Sequence, residues 1–163
     1  LLTAWNQGAL LVQYTGHSSW HQWAVERLFH LDDLPSLGND RRLPVVVEMT
    51  CFTGAFQRPE PTLDEALVTR PGGGAVATWG PTGLGVGTGH DALDGGFFRA
   101  VFADGVETVG QATLSGKLAL VATGQNLDLL DTITLLGDPA LAWNQTIIPW
   151  PAQLHLPLVM RGR

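Results

Sequence analysis

The chain has 163 residues, the size of one domain, and 45% of them are hydrophobic, so it can form a buried core. Its formal net charge is −6 and its nine Lys and Arg residues are scattered, which excludes the clustered basic surface that nucleic-acid binding requires. Its single cysteine excludes an internal disulfide, and no apolar run approaches the ~20 residues of a membrane-spanning helix. Neither nucleic acid nor a membrane span is therefore expected.

Three apolar runs predict strands, taken in chain order. A helix-like segment opens the chain at residues 1–8, and the run "ALLVQYT" (9–15) predicts the first strand. The run "LPVVVEMT" (43–50) predicts the second strand, and "GGAVATW" (73–79), with glycines at its start and after its end, predicts the third. No strand is evident for the other side of the first one. We therefore expect the first strand to lie at an open sheet edge, covered by upstream sequence or by another copy of the chain.

Helices are predicted between and after these strands. Thr62, followed three residues later by Glu65, forms a capping-box pattern that predicts a helix over residues 61–70. The segments 90–105 and 107–124 have apolar residues at helical spacing, and the second ends in a glycine. Apolar strands that alternate with helices favour an α/β fold with a mostly parallel sheet covered on both faces.

The last part of the chain has a different character. Residues 143–163 are rich in proline, and we predict an extended tail there that follows a domain of residues 1–142. The chain also opens in the middle of a helix-like segment, so we interpret it as the C-terminal portion of a domain that is incomplete at its N-terminus.

A histidine and the only cysteine follow the first two predicted strands. His17 lies just past the end of the first strand and Cys51 just past the end of the second. The carboxyl ends of neighbouring parallel strands meet at one edge of a sheet, where functional groups collect. An imidazole beside a thiol can generate the nucleophilic thiolate, whereas a lone buried cysteine is usually an inert small hydrophobe. The spacing of the two residues alone does not decide between these interpretations.

The surrounding segments resemble a known family. "YTGHSSW", "LPVVVEMTCFTGAF", "LDEALV", "GGAVATWG" and "LLDTITLLGDPAL" are similar, in this order, to the gingipain-type cysteine peptidases, which share a caspase-like fold. The resemblance extends from about residue 5 to residue 142. It implies a caspase-like three-layer sandwich, with Cys51 as the nucleophile and His17 as the general base and acid. It also implies that the protein is secreted or at the cell surface.

The resemblance implies further site residues and also shows departures. Backbone N–H groups of Ser18 and Cys51 would hold the oxyanion, although the family usually has glycine at the position of Ser18. The substrate pocket would be formed by the residues that end the third strand and open the next loop, namely Trp79, Gly80, Pro81, Thr82 and Gly83. The loop 80–89 contains neither an acid nor an aromatic residue, so a preference for arginine cannot be transferred.

Several other motifs have an ordinary structural explanation. His17 and His21 have a zinc-like spacing, but Gly16 and the serine pair favour a loop and a third ligand is not evident, so no metal is predicted. The resemblance is compatible with calcium binding but assigns no ligand, and no cofactor is predicted. The run "GLGVGTG" matches neither phosphate-loop pattern. Glu48 is expected to point away from Cys51, and Glu65 to cap its helix.

Two functions of different classes follow. The first is a cysteine endopeptidase that hydrolyses peptide bonds through a Cys–His dyad and a thioester acyl-enzyme. Its partners would be a peptide or protein substrate and the upstream part of the same polypeptide. The alternative is a catalytically inactive cell-surface or secreted binding module that keeps the fold. The rate at which Cys51 is alkylated separates the two, because only an activated thiol reacts much faster than a free one.

Overall fold

The computed structural model of the chain describes residues 1–143. Five α-helices and seven strands alternate along these residues, and a 3-10 helix covers Leu31–Ser36. The elements, in chain order, are α1 (Leu2–Gln7), β1 (Leu11–Thr15), β2 (Ser18–Ser19), β3 (Gln22–Trp23), β4 (Phe29–His30), β5 (Val45–Met49), α2 (Leu63–Thr69), β6 (Ala77–Pro81), α3 (Gly87–Phe102), α4 (Val109–Thr123), α5 (Leu129–Thr132) and β7 (Ile133–Leu136).

The main sheet has the strand order β1-β5-β6-β7. β1 runs parallel to β5 and β5 runs parallel to β6, while β7 is antiparallel to β6. This confirms the prediction of a mostly parallel sheet. Within the residues that the structure describes, β1 pairs on one side only and forms an edge of the sheet, as the sequence predicted.

Alternate residues of β5 point to two different cores, which explains why this strand is apolar almost throughout. Val45, Val47 and Met49 pack on the α3 and α4 side, whereas Val46 packs with residues of α1, α2 and the 3-10 helix. All five residues of the strand are buried. Because successive side chains of a strand face opposite sides of its sheet, the two cores make the three layers of the predicted caspase-like sandwich.

Helices α2 and α4 lie within their predicted ranges, whereas α3 begins and ends three residues earlier than the predicted 90–105, and α5 was not predicted. Thr62 and Glu65 form the expected capping box at the start of α2, and Thr108 forms one with Gln111 at the start of α4. Gly124 ends α4 with a φ of 66°, in the left-handed region that glycine adopts without strain. In the described part of the chain, no helix is long and apolar enough to cross a membrane.

A second, three-stranded sheet was not predicted from the sequence. β2, β3 and β4 pair antiparallel between His17 and the 3-10 helix, and each has only two residues. Its side chains Trp23 and Phe29 are buried against Trp5 of α1, with ring centroids 5.0–6.3 Å apart. This aromatic cluster holds the segment after His17 against the body of the domain.

The predicted tail falls mostly outside the described residues. Trp143, which the sequence interpretation placed at its start, is buried and packs edge-on against Phe97 at 6.2 Å. Its backbone N–H donates to the carbonyl of Glu107. The described core therefore includes Trp143. The extended tail and the domain boundary at residue 142 remain predictions.

Candidate active site

The first two parallel strands bring His17 and Cys51 to one edge of the sheet. Thr15, the last residue of β1, is in register with Met49, the last residue of β5. The N–H of Gly16 donates to the carbonyl of Met49 over 3.3 Å, so the pairing continues one residue beyond β1. His17 and Cys51 then follow two residues after their strands. The segments that carry His17 and Cys51 therefore leave the sheet side by side.

The Ser18 hydroxyl joins these two segments. Its oxygen accepts the N–H of Cys51 over 3.1 Å and its hydroxyl donates to the Cys51 carbonyl. Thr50 Oγ1 lies 2.6 Å from the same oxygen and 2.7 Å from the carbonyl oxygen of Gly16. Both backbone polar groups of Cys51 are thus bound to a side chain next to His17. The amide that the sequence analysis assigned to the oxyanion is bonded to Ser18 in this state.

His17 is an exposed residue whose backbone is firmly held. Its carbonyl accepts the Tyr14 hydroxyl over 2.6 Å and the N–H of Ala24 over 2.8 Å. The Tyr14 ring in turn stacks on Trp23, with centroids 4.7 Å apart. These contacts fix the backbone of the turn, while His17 itself remains exposed to solvent.

The Cys51 side chain is half-buried and its sulfur accepts a hydrogen bond. The N–H of Gly85 points at Sγ with an N···S distance of 3.3 Å. The next residue, Phe52, has a φ of 63°, a left-handed conformation that is uncommon for a residue with a side chain. Its N–H donates to the carbonyl of Gly83 over 2.9 Å, and that of Gly54 donates to Pro81 over 2.9 Å. The turn after Cys51 is therefore tied to the loop that follows β6.

The predicted pocket residues divide into buried and accessible ones. The Trp79 indole is fully buried in the core and stacks on Phe97 at 5.2 Å, so it presents no surface to a substrate. Gly80 and Pro81 are also buried, whereas Thr82 and Gly83 are partly exposed beside the Cys51 turn. Trp79 therefore does not line the site, and its ring packs in the core on the side of α3 and α4.

Large apolar side chains are exposed on the segments next to Cys51 and Gly85. Phe52 follows Cys51 and is 37% exposed, and Phe56, in the same turn region, is 50% exposed. Leu84 and Val86 flank Gly85 and are 69% and 43% exposed. Together these four residues, here called the apolar rim, give the surface around the sulfur an apolar character.

A pair of buried carboxyl groups lies beneath the site, and sequence reasoning missed it. Glu48 of β5 and Asp64 of α2 are both fully buried, and their carboxyl groups face the same space, because a Cβ built on Gly80 would lie 2.6 Å from Asp64 Oδ2 and 3.0 Å from Glu48 Oε2. Burial raises the pKa of both groups, and the charge of Glu48 further raises the pKa of Asp64. Burial and the repulsion between two like charges therefore both favour the protonated form of the pair. The expectation for Glu48 gave it no partner, because Asp64 is brought to it only by the fold.

This pair connects the segments that carry the site. Trp23, six residues after His17, donates its indole N–H to Glu48. Thr53, two residues after Cys51, contacts both carboxyl groups, and its carbonyl accepts the N–H of Asp64 over 3.1 Å. A side chain at Gly80 would bring its Cβ within 2.6 Å of Asp64 and 3.0 Å of Glu48. Glycine is therefore required where β6 crosses the pair.

The zinc alternative for His17 and His21 has no support in the geometry. The two histidines stand before and within the small sheet rather than on one helix face. His21 Nδ1 lies 3.0 Å from the Ser19 hydroxyl, and its ring packs edge-on against His30 at 5.1 Å. Among residues 1–143, no group of three or more His, Cys, Asp or Glu side chains is placed to hold a metal ion. No residue is assigned to calcium.

Two gingipains are similar to the chain in sequence. Gingipain R2 and gingipain R1 of Porphyromonas gingivalis are each 28% identical to the chain over 167 aligned positions, which cover 96% of it. The chain spans only 22% and 17% of the length of these two proteins. It therefore matches a limited part of each relative.

Solved structures of gingipains are also similar to the chain. The crystal structure of the Arg-specific cysteine proteinase gingipain R superposes with a TM-score of 0.81 at 28% identity, over 86% of this chain and 35% of that one. A complex of the pro- and mature domains of a Porphyromonas gingivalis gingipain gives a TM-score of 0.80 at 27% identity. It covers 86% of this chain and 35% of the other. Residues 1–144 also match Peptidase family C25, a family of cysteine peptidases. The chain belongs to Peptidase family C25.

Proposed function

We propose that the chain carries the nucleophile and the histidine of a cysteine endopeptidase. The observation that supports this most directly is the parallel pairing of β1 with β5, which delivers His17 and Cys51 to the same edge of the sheet. The N–H of Gly85, directed at the Cys51 sulfur, adds a donor that favours negative charge there.

The reaction follows the order of a cysteine peptidase. His17 accepts the proton of the Cys51 thiol, and the sulfur attacks the carbonyl carbon of the peptide bond. As the C–N bond breaks, His17 gives that proton to the leaving amine, and a thioester joins the acyl group to Cys51. Water then attacks the thioester, and the carboxylic acid and the free thiol are released.

The oxyanion would be held by the backbone N–H groups of Ser18 and Cys51. The Cys51 amide is bonded to the Ser18 hydroxyl in the structure, so this role requires the hydroxyl to turn away when substrate binds. Rotation of the Ser18 side chain about χ1 from one staggered position to another is sufficient to move the hydroxyl away from the Cys51 amide. The same rotation would free the Cys51 carbonyl from its bond to Ser18.

The apolar rim favours a small or apolar P1 side chain. A cationic P1 residue needs an accessible carboxylate to neutralise its charge, because the exposed phenylalanine rings of the rim carry no charge of their own. Glu48 and Asp64 lie next to Gly80 but are fully buried, and the Trp79 indole is in the core. The wall that faces solvent consists of Thr82, Gly83 and the rim, with no charge among them.

The surroundings of the site are also part of the proposal. The partners would be a peptide or protein substrate and the upstream part of the same polypeptide, which would cover the edge of β1. The solved complex of pro- and mature domains shows that such contacts between parts of a polypeptide occur in a relative. By the same resemblance, the protein would be secreted or placed at the cell surface.

A fluorogenic peptide library that varies the P1 residue tests this proposal. We expect cleavage after small or apolar residues, and its complete loss in Cys51→Ala and His17→Ala. The control is Leu118→Ala, an exposed change on α4 that leaves the site untouched. A strong preference for arginine or lysine would support the peptidase and refute the proposed pocket. Cleavage that persists in Cys51→Ala would refute the nucleophile.

The second candidate function is a binding module without catalysis. It is favoured by one observation, namely that the Cys51 amide already has a partner in the Ser18 hydroxyl. If that bond never opens, the oxyanion has one donor fewer and acylation is slow. A covalent peptidyl inhibitor directed at cysteine distinguishes the two, because it labels Cys51 only where the site can bind and attack a carbonyl analogue.

A further inference from the structure

His90 lies beneath the loop that donates to the nucleophile, and it was not identified from the sequence. It is the fourth residue of α3 and is only 5% exposed. A Cβ built on Gly85 would fall inside van der Waals contact of His90 Cε1 and Nε2 and of the Thr50 carbonyl oxygen. The His90 ring and the carbonyl of Thr50, the residue before Cys51, therefore both lie against the face of Gly85 from which a side chain would project.

The same glycine supplies the hydrogen bond to the sulfur. Its N–H points at Cys51 Sγ over 3.3 Å. Because Gly85 has no side chain, its backbone has wide conformational freedom unless its neighbours restrict it. The His90 ring and the Thr50 carbonyl are the neighbours that restrict it. The direction of the N–H toward Sγ thus depends on the ring staying in place.

The histidine has a polar atom that its environment does not satisfy. His90 Nε2 is buried and makes no hydrogen bond within residues 1–143. Burial lowers the pKa of His90, and the nearby Asp91 opposes this only in part. The ring is therefore neutral near pH 7 and acts on Gly85 through its shape and not through a charge. An unsatisfied buried nitrogen reduces stability, so folding alone does not explain this side chain.

We infer that His90 is a positioning residue for the nucleophile, which acts by fixing Gly85 so that the Gly85 N–H points at the Cys51 sulfur. The inference rests on the proposed role of Cys51 as the nucleophile. It adds a residue from α3 to a site otherwise built from strand ends. The effect is transmitted through one glycine and requires no contact between His90 and the substrate.

The test measures the alkylation rate of Cys51 in the 163-residue chain with iodoacetamide and with iodoacetate, under conditions where circular dichroism shows every variant folded. His90→Ala should lower the rate roughly tenfold, since the Gly85 N–H is no longer held in the direction of the sulfur. Both reagents should slow by the same factor, because a neutral ring contributes no charge. His90→Asn removes the two atoms that touch Gly85 and should give a similar loss with less cost in folding.

Controls separate positioning from general destabilisation. Leu93→Ala, also on α3 and fully buried, should reduce stability without changing the rate. Gly85→Ala should lower the rate, and adding His90→Ala to it should lower it no further, since both changes act on the same contact. Multiplicative effects, a larger loss with the anionic reagent, or an unchanged rate in the folded His90 variants would overturn the inference.

The outcome for His90 is separate from the outcome for the peptidase. If the unaltered chain alkylates no faster than its unfolded form, the proposed activation of Cys51 fails whatever the variants do. If the unaltered chain is fast and the His90 variants are equally fast, only the positioning role fails. Peptide cleavage is not needed for either comparison.

Discussion

The Ser18 hydroxyl determines how the Cys51 backbone is held. It binds both the N–H and the carbonyl of Cys51, and Thr50 approaches it as well. The two bonds fix Cys51 relative to the His17 turn. The same bonds occupy the amide that the oxyanion would need. In the proposed reaction this one side chain would therefore both order the site and compete with the substrate.

Replacement of Ser18 separates these two effects. Ser18→Gly removes three hydrogen bonds, two with the Cys51 backbone and one with Thr50 Oγ1, so we expect the free energy of unfolding to fall by about 1–3 kcal/mol. Acylation measured in a single turnover should not slow, because the Cys51 amide becomes free to bind the oxyanion. Ser19→Gly, next to it in β2, is the matched control. A tenfold or larger loss of acylation in Ser18→Gly, measured with the fold intact, would show that the hydroxyl itself takes part.

The functional residues that the sequence predicts are those that depend on local pattern. His17 and Cys51 each follow an apolar run that predicts a parallel strand, and the motifs around them, which resemble the gingipain-type peptidases, assign them their roles. Asp64 and His90 depend on contacts across the fold. Asp64 lies 16 positions from Glu48 in the sequence, and the meaning of His90 depends on how the loop around Gly85 closes. The sign of the Glu48–Asp64 pair in the sequence was Glu48, an acidic residue in an otherwise apolar strand.

At the level of elements, the Glu48–Asp64 pair links β5 to α2. Both carboxyl groups are removed from water, so burial raises the pKa of each above the ordinary values of 4.5 and 3.8. The folded chain then holds a proton over a pH range in which the unfolded chain has released it. The stabilising contribution of that proton is complete below the ordinary carboxyl values and is lost as the pH rises through the raised ones.

A pH series of unfolding measurements tests this pair. Between about pH 5 and pH 8 the free energy of unfolding should fall as the pH rises. In Asp64→Asn the amide donates to Glu48 without needing a proton, so the fall should be smaller and stability near pH 8 should be higher by about 1 kcal/mol. Glu26→Gln, an exposed carboxyl, is the control and should leave the slope unchanged. A slope in Asp64→Asn equal to that of the unaltered chain would contradict the assignment.

The contact between α3 and α4 depends on glycines at the crossing. A Cβ at Gly96 would lie 2.6 Å from Ala119 Cβ and 2.8 Å from the Ser115 carbonyl oxygen. A Cβ at Gly116 would lie 2.6 Å from the Trp79 ring. The two helix backbones approach closely because neither glycine has a side chain. This explains glycine inside helices, where it costs about 1 kcal/mol relative to alanine.

Two neighbouring glycines of α3 should respond in opposite directions. Gly96→Ala gains about 1 kcal/mol of helix propensity but loses about 1–3 kcal/mol to overpacking, so we expect net destabilisation. A Cβ at Gly95 meets nothing within 4 Å, so Gly95→Ala should gain stability by about 0.5–1 kcal/mol. Chemical denaturation measures both. If Gly96→Ala were the more stable variant, the close helix crossing would be incorrect.

The long elements were predicted from the sequence and the short ones were not. Elements of five or more residues are long enough to show a pattern of apolar residues, as in β1, β5, β6, α3 and α4. The predicted bounds of β1 and β5 differ from the observed ones by a few residues. The strands of the small sheet have two residues each, too few to show any period. Their existence depends on Trp23 and Phe29 meeting Trp5, a contact between distant parts of the chain.

At the scale of the whole molecule, two surfaces are candidates for self-association. One is the open edge of β1, which begins beside Leu10, itself 50% exposed. The other is an apolar stripe on α4 formed by Leu114, Leu118 and Val121, each 49–58% exposed. An unpaired strand edge offers backbone hydrogen bonds that a helix face does not. We expect association through the edge to dominate.

Light scattering on the 163-residue chain tests this expectation. The mean mass should exceed that of a monomer and should fall on dilution. Leu10→Lys places a charge at the strand edge and should shift the chain toward monomer. Leu118→Lys places the same charge on α4 and should have little effect. A stronger effect of Leu118→Lys would assign the association to the helix face, and a clean monomer would contradict an edge that needs a partner.

The most direct test of the central claim is the alkylation rate of Cys51 near neutral pH, followed by mass spectrometry in the folded chain, in His17→Ala and in the chain unfolded by guanidinium. The site predicts that folded Cys51 reacts at least about tenfold faster than unfolded Cys51, and that His17→Ala removes this excess. A folded rate at or below the unfolded one, or a rate that His17→Ala leaves unchanged, would contradict the pairing of His17 with Cys51.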